Sequence, residues 1–231
     1  MNGYSVENQQ QGLNKFLSKV YWYMAGAVLV SAITALGTVV LFGNMVDELL
    51  GQHPVVYFIL LAVQLVMVAK MSFSKSRSAA MSNAMLFGFA ALEGIIFSSI
   101  LLEFTTADIT LAFVAAAVDF AVLALYGTRT KKDLSSWGRQ ALAALIAILI
   151  VSVVNIFLQS SLVEFVISIA GVLIFSVLSM WDAHRIKQIY LQMGEAANTT
   201  PIVVSAALQL YLDFINLFLE LLEIFGSSDR N

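Results

Sequence analysis

The sequence predicts an all-α, polytopic membrane protein, a bundle of seven transmembrane helices, and three observations carry that expectation. Of its 231 residues 60% are hydrophobic and 12% charged, whereas a soluble domain is nearer one quarter charged. The mean hydropathy is +0.87, and the apolar residues gather in seven stretches near the roughly 20 residues that cross about 30 Å of hydrocarbon. Within each stretch the apolar run is continuous, while barrel strands would alternate apolar and polar positions.

The first stretch, about 20–42, follows a polar start and is too long for the core of a cleaved signal, so it reads as a retained anchor. The second, about 54–73, opens on Pro54, and the seventh, about 202–225, follows Pro201. Proline suits the first turn of a helix, where its missing N–H costs nothing. The third and fourth, about 83–103 and 107–127, meet at Thr105 and Thr106. The fifth, about 140–158, follows a basic loop, and the sixth, about 163–183, leads to the polar turn 194–200. The expected organisation is a cytoplasmic segment 1–19, one transmembrane domain 20–226 and a short external tail 227–231.

Lys and Arg set the orientation. Of the 12, Lys15 and Lys19 precede the first helix, and Lys70, Lys75 and Arg77 lie between the second and third. Arg129, Lys131, Lys132 and Arg139 lie between the fourth and fifth, and Arg185 and Lys187 follow the sixth. Arg230 alone falls opposite. This positive-inside bias places the N-terminus in the cytoplasm and the C-terminus on the outer side of the membrane. The opposite face carries Asp47, Glu48, Glu103, Asp108, Glu164 and Asp229, a charge pattern that concentrates cations.

Intramembrane acids are the main pointer to function, because an ionisable group in lipid is costly and usually faces a wet path or a partner. Asp182 ends the sixth stretch and Asp213 lies inside the seventh, and their midpoint falls within the polar turn. In an antiparallel hairpin they share one depth, about 16 Å of helix rise from Pro201. Carboxyls that touch there share a proton, which makes a pH-sensitive pair. The same spacing also fits two unrelated acids, one at the interface and one bonded to a neighbouring helix.

On the seventh helix Ser205, Gln209, Asp213, Asn216, Glu220 and Glu223 fall within an arc of about 80° at 100° per residue. Such a stripe suits a path lined with oxygens for a hard cation such as Ca²⁺, or a seam of hydrogen bonds between helices. Glu93 and Asp119 also lie equally far from their turn. They are expected to form a second acidic layer, or else to be permanently protonated structural groups. Lys75 and Arg77 are the basic residues best placed to latch the acids, and the plainer reading holds them at the headgroups.

The chain has no cysteine, which excludes disulfides, thiolate metal sites and cysteine nucleophiles. No HExxH helix, GxSxG elbow or phosphate-binding loop occurs, and His53 and His184 lie far apart in sequence. An enzyme is therefore not expected.

The segment Leu210 to Gly226, which begins LYLDFINLF, resembles the C-terminal signature of the transmembrane Bax inhibitor motif family in its bacterial branch. The loop Tyr126 to Ser135 and the step Trp181-Asp182 resemble that family's loop between helices 4 and 5 and its tyrosine–aspartate step. The resemblance covers nearly the whole chain. It implies a bundle with helix 7 central and an aspartate dyad at Asp182 and Asp213 that senses pH and governs a Ca²⁺ leak. It also implies a basic latch near position 76, with Lys75 and Arg77 on either side of Ser76. This chain departs from the pattern at Ala183 and His184, usually threonine and glutamine, and at Glu223, commonly arginine. His184 adds beside the dyad a group that titrates near neutral pH.

The function expected is a pH-sensitive cation leak. Asp182 and Asp213 would supply the metal-ligating oxygens, Gln209, Asn216, Glu220, Glu223, Glu93, Asp119 and His184 would line the path, and Ca²⁺ would be permeant ion rather than cofactor. The partners expected are the bilayer and Ca²⁺ or other cations, with no nucleic acid. The alternative is a regulatory partner of another membrane protein, such as a membrane-bound protease, with no transport of its own.

Overall fold

The computed structural model describes residues 2–46, 54–73 and 78–228. Its helices are α1 (Asn2–Val46), α2 (Pro54–Phe73), α3 (Ala79–Glu103), α4 (Thr106–Arg129), α5 (Ser135–Leu158), α6 (Ser161–Met193) and α7 (Thr200–Ser228), with a 3₁₀ turn at Gly194–Asn198. Among the described residues six helices are long and apolar enough to cross a membrane, and α2 adds a shorter apolar stretch at Ile59–Met71. The protein is a multi-pass, all-helical membrane protein. Two helices outrun their expected spans: α1 begins at Asn2, and α6 continues to Met193. Apolar runs mark where a helix meets lipid, whereas backbone hydrogen bonding carries the helix on into water.

Local chemistry sets the ends. Ser78 caps α3 by accepting from the Met81 N–H at 3.2 Å. At α4 the Thr105 hydroxyl accepts from the Asp108 N–H at 3.2 Å and donates to the Asp108 carboxylate at 2.6 Å, a reciprocal cap that satisfies an orphan donor. Asp108, expected as part of an acidic face, is thus committed to its own helix end. After α5, Gln159 adopts a left-handed φ of 51°. Asn155 holds that turn by accepting from the Ser160 N–H at 3.2 Å and donating to its carbonyl at 3.3 Å.

The chain divides into two compact units, Met1–Phe104 with Ile189–Tyr211, and Thr105–Gln188 with Leu212–Asn231. In the first, α3 meets α1 at Gly94, where an added Cβ would lie 2.5 Å from the Ser31 carbonyl oxygen. The Ser31 hydroxyl donates to the Ala90 carbonyl at 2.7 Å and is bonded to the Tyr211 hydroxyl, also at 2.7 Å. Tyr211 is fully buried and packs edge-on against Phe89.

The same unit holds a clasp at the end of α6. Phe16 stacks on Tyr190, whose hydroxyl donates to Glu195 at 2.7 Å, and Asn198 donates to the other Glu195 oxygen at 2.8 Å. Gly12 makes room for it, since a Cβ there would lie 1.8 Å from the Tyr190 oxygen. The Tyr190 hydroxyl, then Asn198, and more weakly Lys15 and Lys19 hold the Glu195 carboxyl below its ordinary range. A carboxyl so depressed adds stability that is complete above its unfolded pKa and is lost as pH falls through its folded one. Glu195→Gln is therefore expected to flatten the acid-induced loosening of the 194–198 turn, read by hydrogen exchange from about pH 5 to about pH 3. Parallel acid profiles in parent and variant would contradict this.

In the second unit α4 and α6 approach closely. A Cβ on Gly127 would lie 2.1 Å from the Met180 carbonyl oxygen, and one on Gly138 would lie 2.1 Å from the Trp181 ring. Trp181 packs on α5 at Gly138 and carries the Arg185 guanidinium 5.6 Å from a ring centroid. Phe214 takes Phe113 and Phe120 edge-on. Burial separates the helices: 61% of the apolar window of α7 is buried against 6% in α5. α7 is thus an interior helix, and α5 presents its sides to lipid.

Candidate functional site

The site lies in the second unit, on the facing stripes of α6 and α7. On α6, Glu164, Ser168, Gly171, Ser179 and Asp182 recur at spacings of three, four or eight residues, which stacks them on one face of a helix. Asp182 and Asp213 are both buried, 9% and 6% exposed, and their carboxyls lie within hydrogen-bonding reach of one another. Asp182 Oδ1 and Asp213 Oδ2 are buried without a hydrogen-bond partner. Two carboxyls this close can bond to each other only through a proton held between them.

One end of this stripe opens into a cavity of about 550 Å³ lined by Ser152, Asn155, Ser168, Glu164, Glu220 and Glu223. Glu220 bonds to Ser168 and lies across Gly171, where a Cβ would stand 2.5 Å from its carboxyl carbon. The atoms in the way end a flexible side chain, so Gly171→Ala is expected to displace the carboxyl and cost less than about 1 kcal/mol. Faster labelling of Glu220 by a water-soluble carbodiimide would report the displacement. Unchanged labelling would contradict the contact.

The remaining sequence candidates have separate partners. His184 is buried, but its Nδ1–H donates to the Gly127 carbonyl at 3.1 Å and Gln188 approaches its Nε2 at 3.4 Å, so the ring is committed to α4 and to its own helix. Asn216 donates to the Leu212 carbonyl at 2.7 Å, turned onto its own backbone. Asp119 accepts from the Ser176 hydroxyl at 2.8 Å, and Glu93 accepts from Gln64. Each thus has a partner of its own in its own unit. Gln209 is half-buried, and Ser205 donates to the Met71 carbonyl at 3.1 Å. Lys75 and Arg77, like Asp47, Glu48 and Asp229, lie outside the described residues.

Sequence reasoning missed Ser168, Gly171, Ser176 and Gln64. Each stands inside an apolar run, and the small residues on α6 carry no charge to draw attention. The signal was the periodicity of α6 itself, whose polar and small positions match the stripe on α7.

A family model described as "Inhibitor of apoptosis-promoting Bax1" matches residues 13–230. The chain is 36% identical over 231 residues to the protein YrjE of Lactococcus lactis, covering 100% of this chain and 98% of that one. It is 35% identical over 226 residues to the inner membrane protein YbhL of Escherichia coli, covering 96% of each. To a membrane protein of Streptococcus pyogenes serotype M3 it is 32% identical over 234 residues, covering 99% of this chain and 100% of that one.

Proposed function

The chain belongs to the Bax inhibitor-1-like family of membrane proteins, and from that premise we propose that it is a pH-sensitive cation leak whose permeant ion is Ca²⁺. The observation that carries this reading is the contact of the two buried carboxyls, Asp182 and Asp213, on neighbouring membrane-length helices. A shared proton ties α6 to α7 and keeps the path closed. Loss of that proton leaves two like charges, which at about 4 Å and an effective dielectric near 20 repel by about 4 kcal/mol. That is of the same order as the roughly 5.5 kcal/mol that carries a two-state equilibrium from 1:99 to 99:1. The parted carboxylates then offer oxygen ligands suited to a hard divalent cation.

The acidic cavity beside Glu220 and Glu223 supports the reading as a mouth that draws cations towards the dyad. In this role the protein is multi-pass in a bacterial plasma membrane, with its N-terminus cytoplasmic, and performs no chemical catalysis. The test is Ca²⁺ flux through the purified protein in liposomes of pure lipid. A leak channel conducts there. An adaptor that works only by docking on another membrane protein does not, and absence of flux at every pH would reject the proposal.

A further inference from the structure

A second cavity lies in the other unit, remote in sequence from the acids of the dyad. It is a groove of about 800 Å³ between α2 and α3. Its floor on α2 is Ile59, Val63 and Val66, and Met81 and Met85 of α3 form a wall. The floor positions recur at three and four residues, one face of a helix, and the row ends on Lys70 in the last turn of α2. Ile59, Val63, Val66 and Met81 are 57%, 45%, 54% and 55% exposed, so the groove opens outward on a helix pair made to sit in lipid.

Two features fix its occupant. From Ile59 to Lys70 the α2 row rises about 16 Å, which matches half of a hydrocarbon core about 30 Å thick. The groove is therefore as long as one acyl chain in one leaflet is deep. Lys70 is the charged residue of an otherwise apolar lining, and it stands at the end of the row where a headgroup would lie. Its ammonium complements a phosphate, while its methylene stem continues the apolar floor. Methionine side chains on the wall adapt their shape to a flexible chain.

We propose that this groove is a binding site for one anionic phospholipid, its acyl chain along α2 and its phosphate on Lys70. The site is independent of the dyad and of any transport. A zwitterionic lipid presents the same chain but no net negative charge to Lys70, so the site prefers the anionic headgroup.

The experiment uses the purified full-length protein in mixed micelles holding equal amounts of phosphatidylglycerol and phosphatidylcholine, with retained lipid counted by native mass spectrometry. The parent protein is expected to retain one phosphatidylglycerol in preference. Lys70→Gln should lower that preference about fivefold, the worth of one lysine at an anionic surface. Val66→Trp, which fills a lipid-facing groove without entering the core, should lower retention of both lipids. Circular dichroism of both variants, expected to match the parent, separates lost lipid binding from lost helix. Equal retention of the two lipids by the parent, retention unchanged in both variants, or a second protein copy held across the groove would each overturn the proposal.

Discussion

Asp213→Asn is expected to abolish the pH dependence of Ca²⁺ flux from about pH 6 to about pH 8 and to reduce the maximal flux about tenfold or more. Asparagine fills the same space and still donates a hydrogen bond to Asp182, so the bundle should fold. What it removes is one charge and one titrating group. The α6–α7 contact then cannot change from a proton-sharing pair to a repelling one, and a cation finds one carboxylate where it had two. Asp182→Asn should give the same phenotype, and the double variant should be no worse than either single one, because the two groups act as a unit. Thermal unfolding followed beside flux separates lost gating from lost folding. Two variants that leak like the parent at every pH would remove the dyad from the mechanism.

The second large effect is on packing. Gly127→Ala is expected to destabilise the protein by about 1–3 kcal/mol, the usual cost of overpacking, and to lower the melting temperature by about 2–12 °C. The added Cβ would lie 2.1 Å from the Met180 carbonyl oxygen and 3.3 Å from the His184 nitrogen. Those atoms belong to the α6 backbone, which cannot rotate away as the Glu220 side chain can beside Gly171. The α4–α6 contact must open, and with it the bond from His184, two residues along α6 from Asp182, to the Gly127 carbonyl. Gly37 is the control, with nothing within 4 Å of an added Cβ. Alanine there should be neutral or slightly stabilising, since glycine inside a helix costs roughly 0.5–1 kcal/mol relative to alanine. Equal melting temperatures for the two variants would refute the close approach at Gly127.

These two expectations differ in how far the sequence could supply them. Asp182 and Asp213 were legible because acids inside apolar runs are rare and their spacing about a polar turn fixes their relative depth. Gly127 was not, since nothing in a run of alanines, leucines and a glycine says which small residue meets another helix. Glu93 and Asp119 show the limit of the depth argument. Equal distance from the turn at Thr105 puts both at one level, yet Glu93 accepts from Gln64 and Asp119 from Ser176. Depth is a property of one hairpin, whereas the direction a side chain faces depends on which helices pack against it. His184 makes the same point, a neighbour of the dyad in sequence whose ring is bonded to Gly127.

The sequence by itself determined the membrane class, the all-helical fold and the number of helices. Each follows from the cost of placing polar groups in hydrocarbon, which acts on every residue one at a time. Tertiary structure alone decided that the Asp182 and Asp213 carboxyls come close, that Ser168 and Gly171 pack against Glu220, and that α7 is largely buried while α5 is largely exposed. In a chain so uniformly apolar, a lipid-facing leucine and a protein-facing one look alike. The choice between them is made by shape, through glycines and serines that let particular helix faces come close.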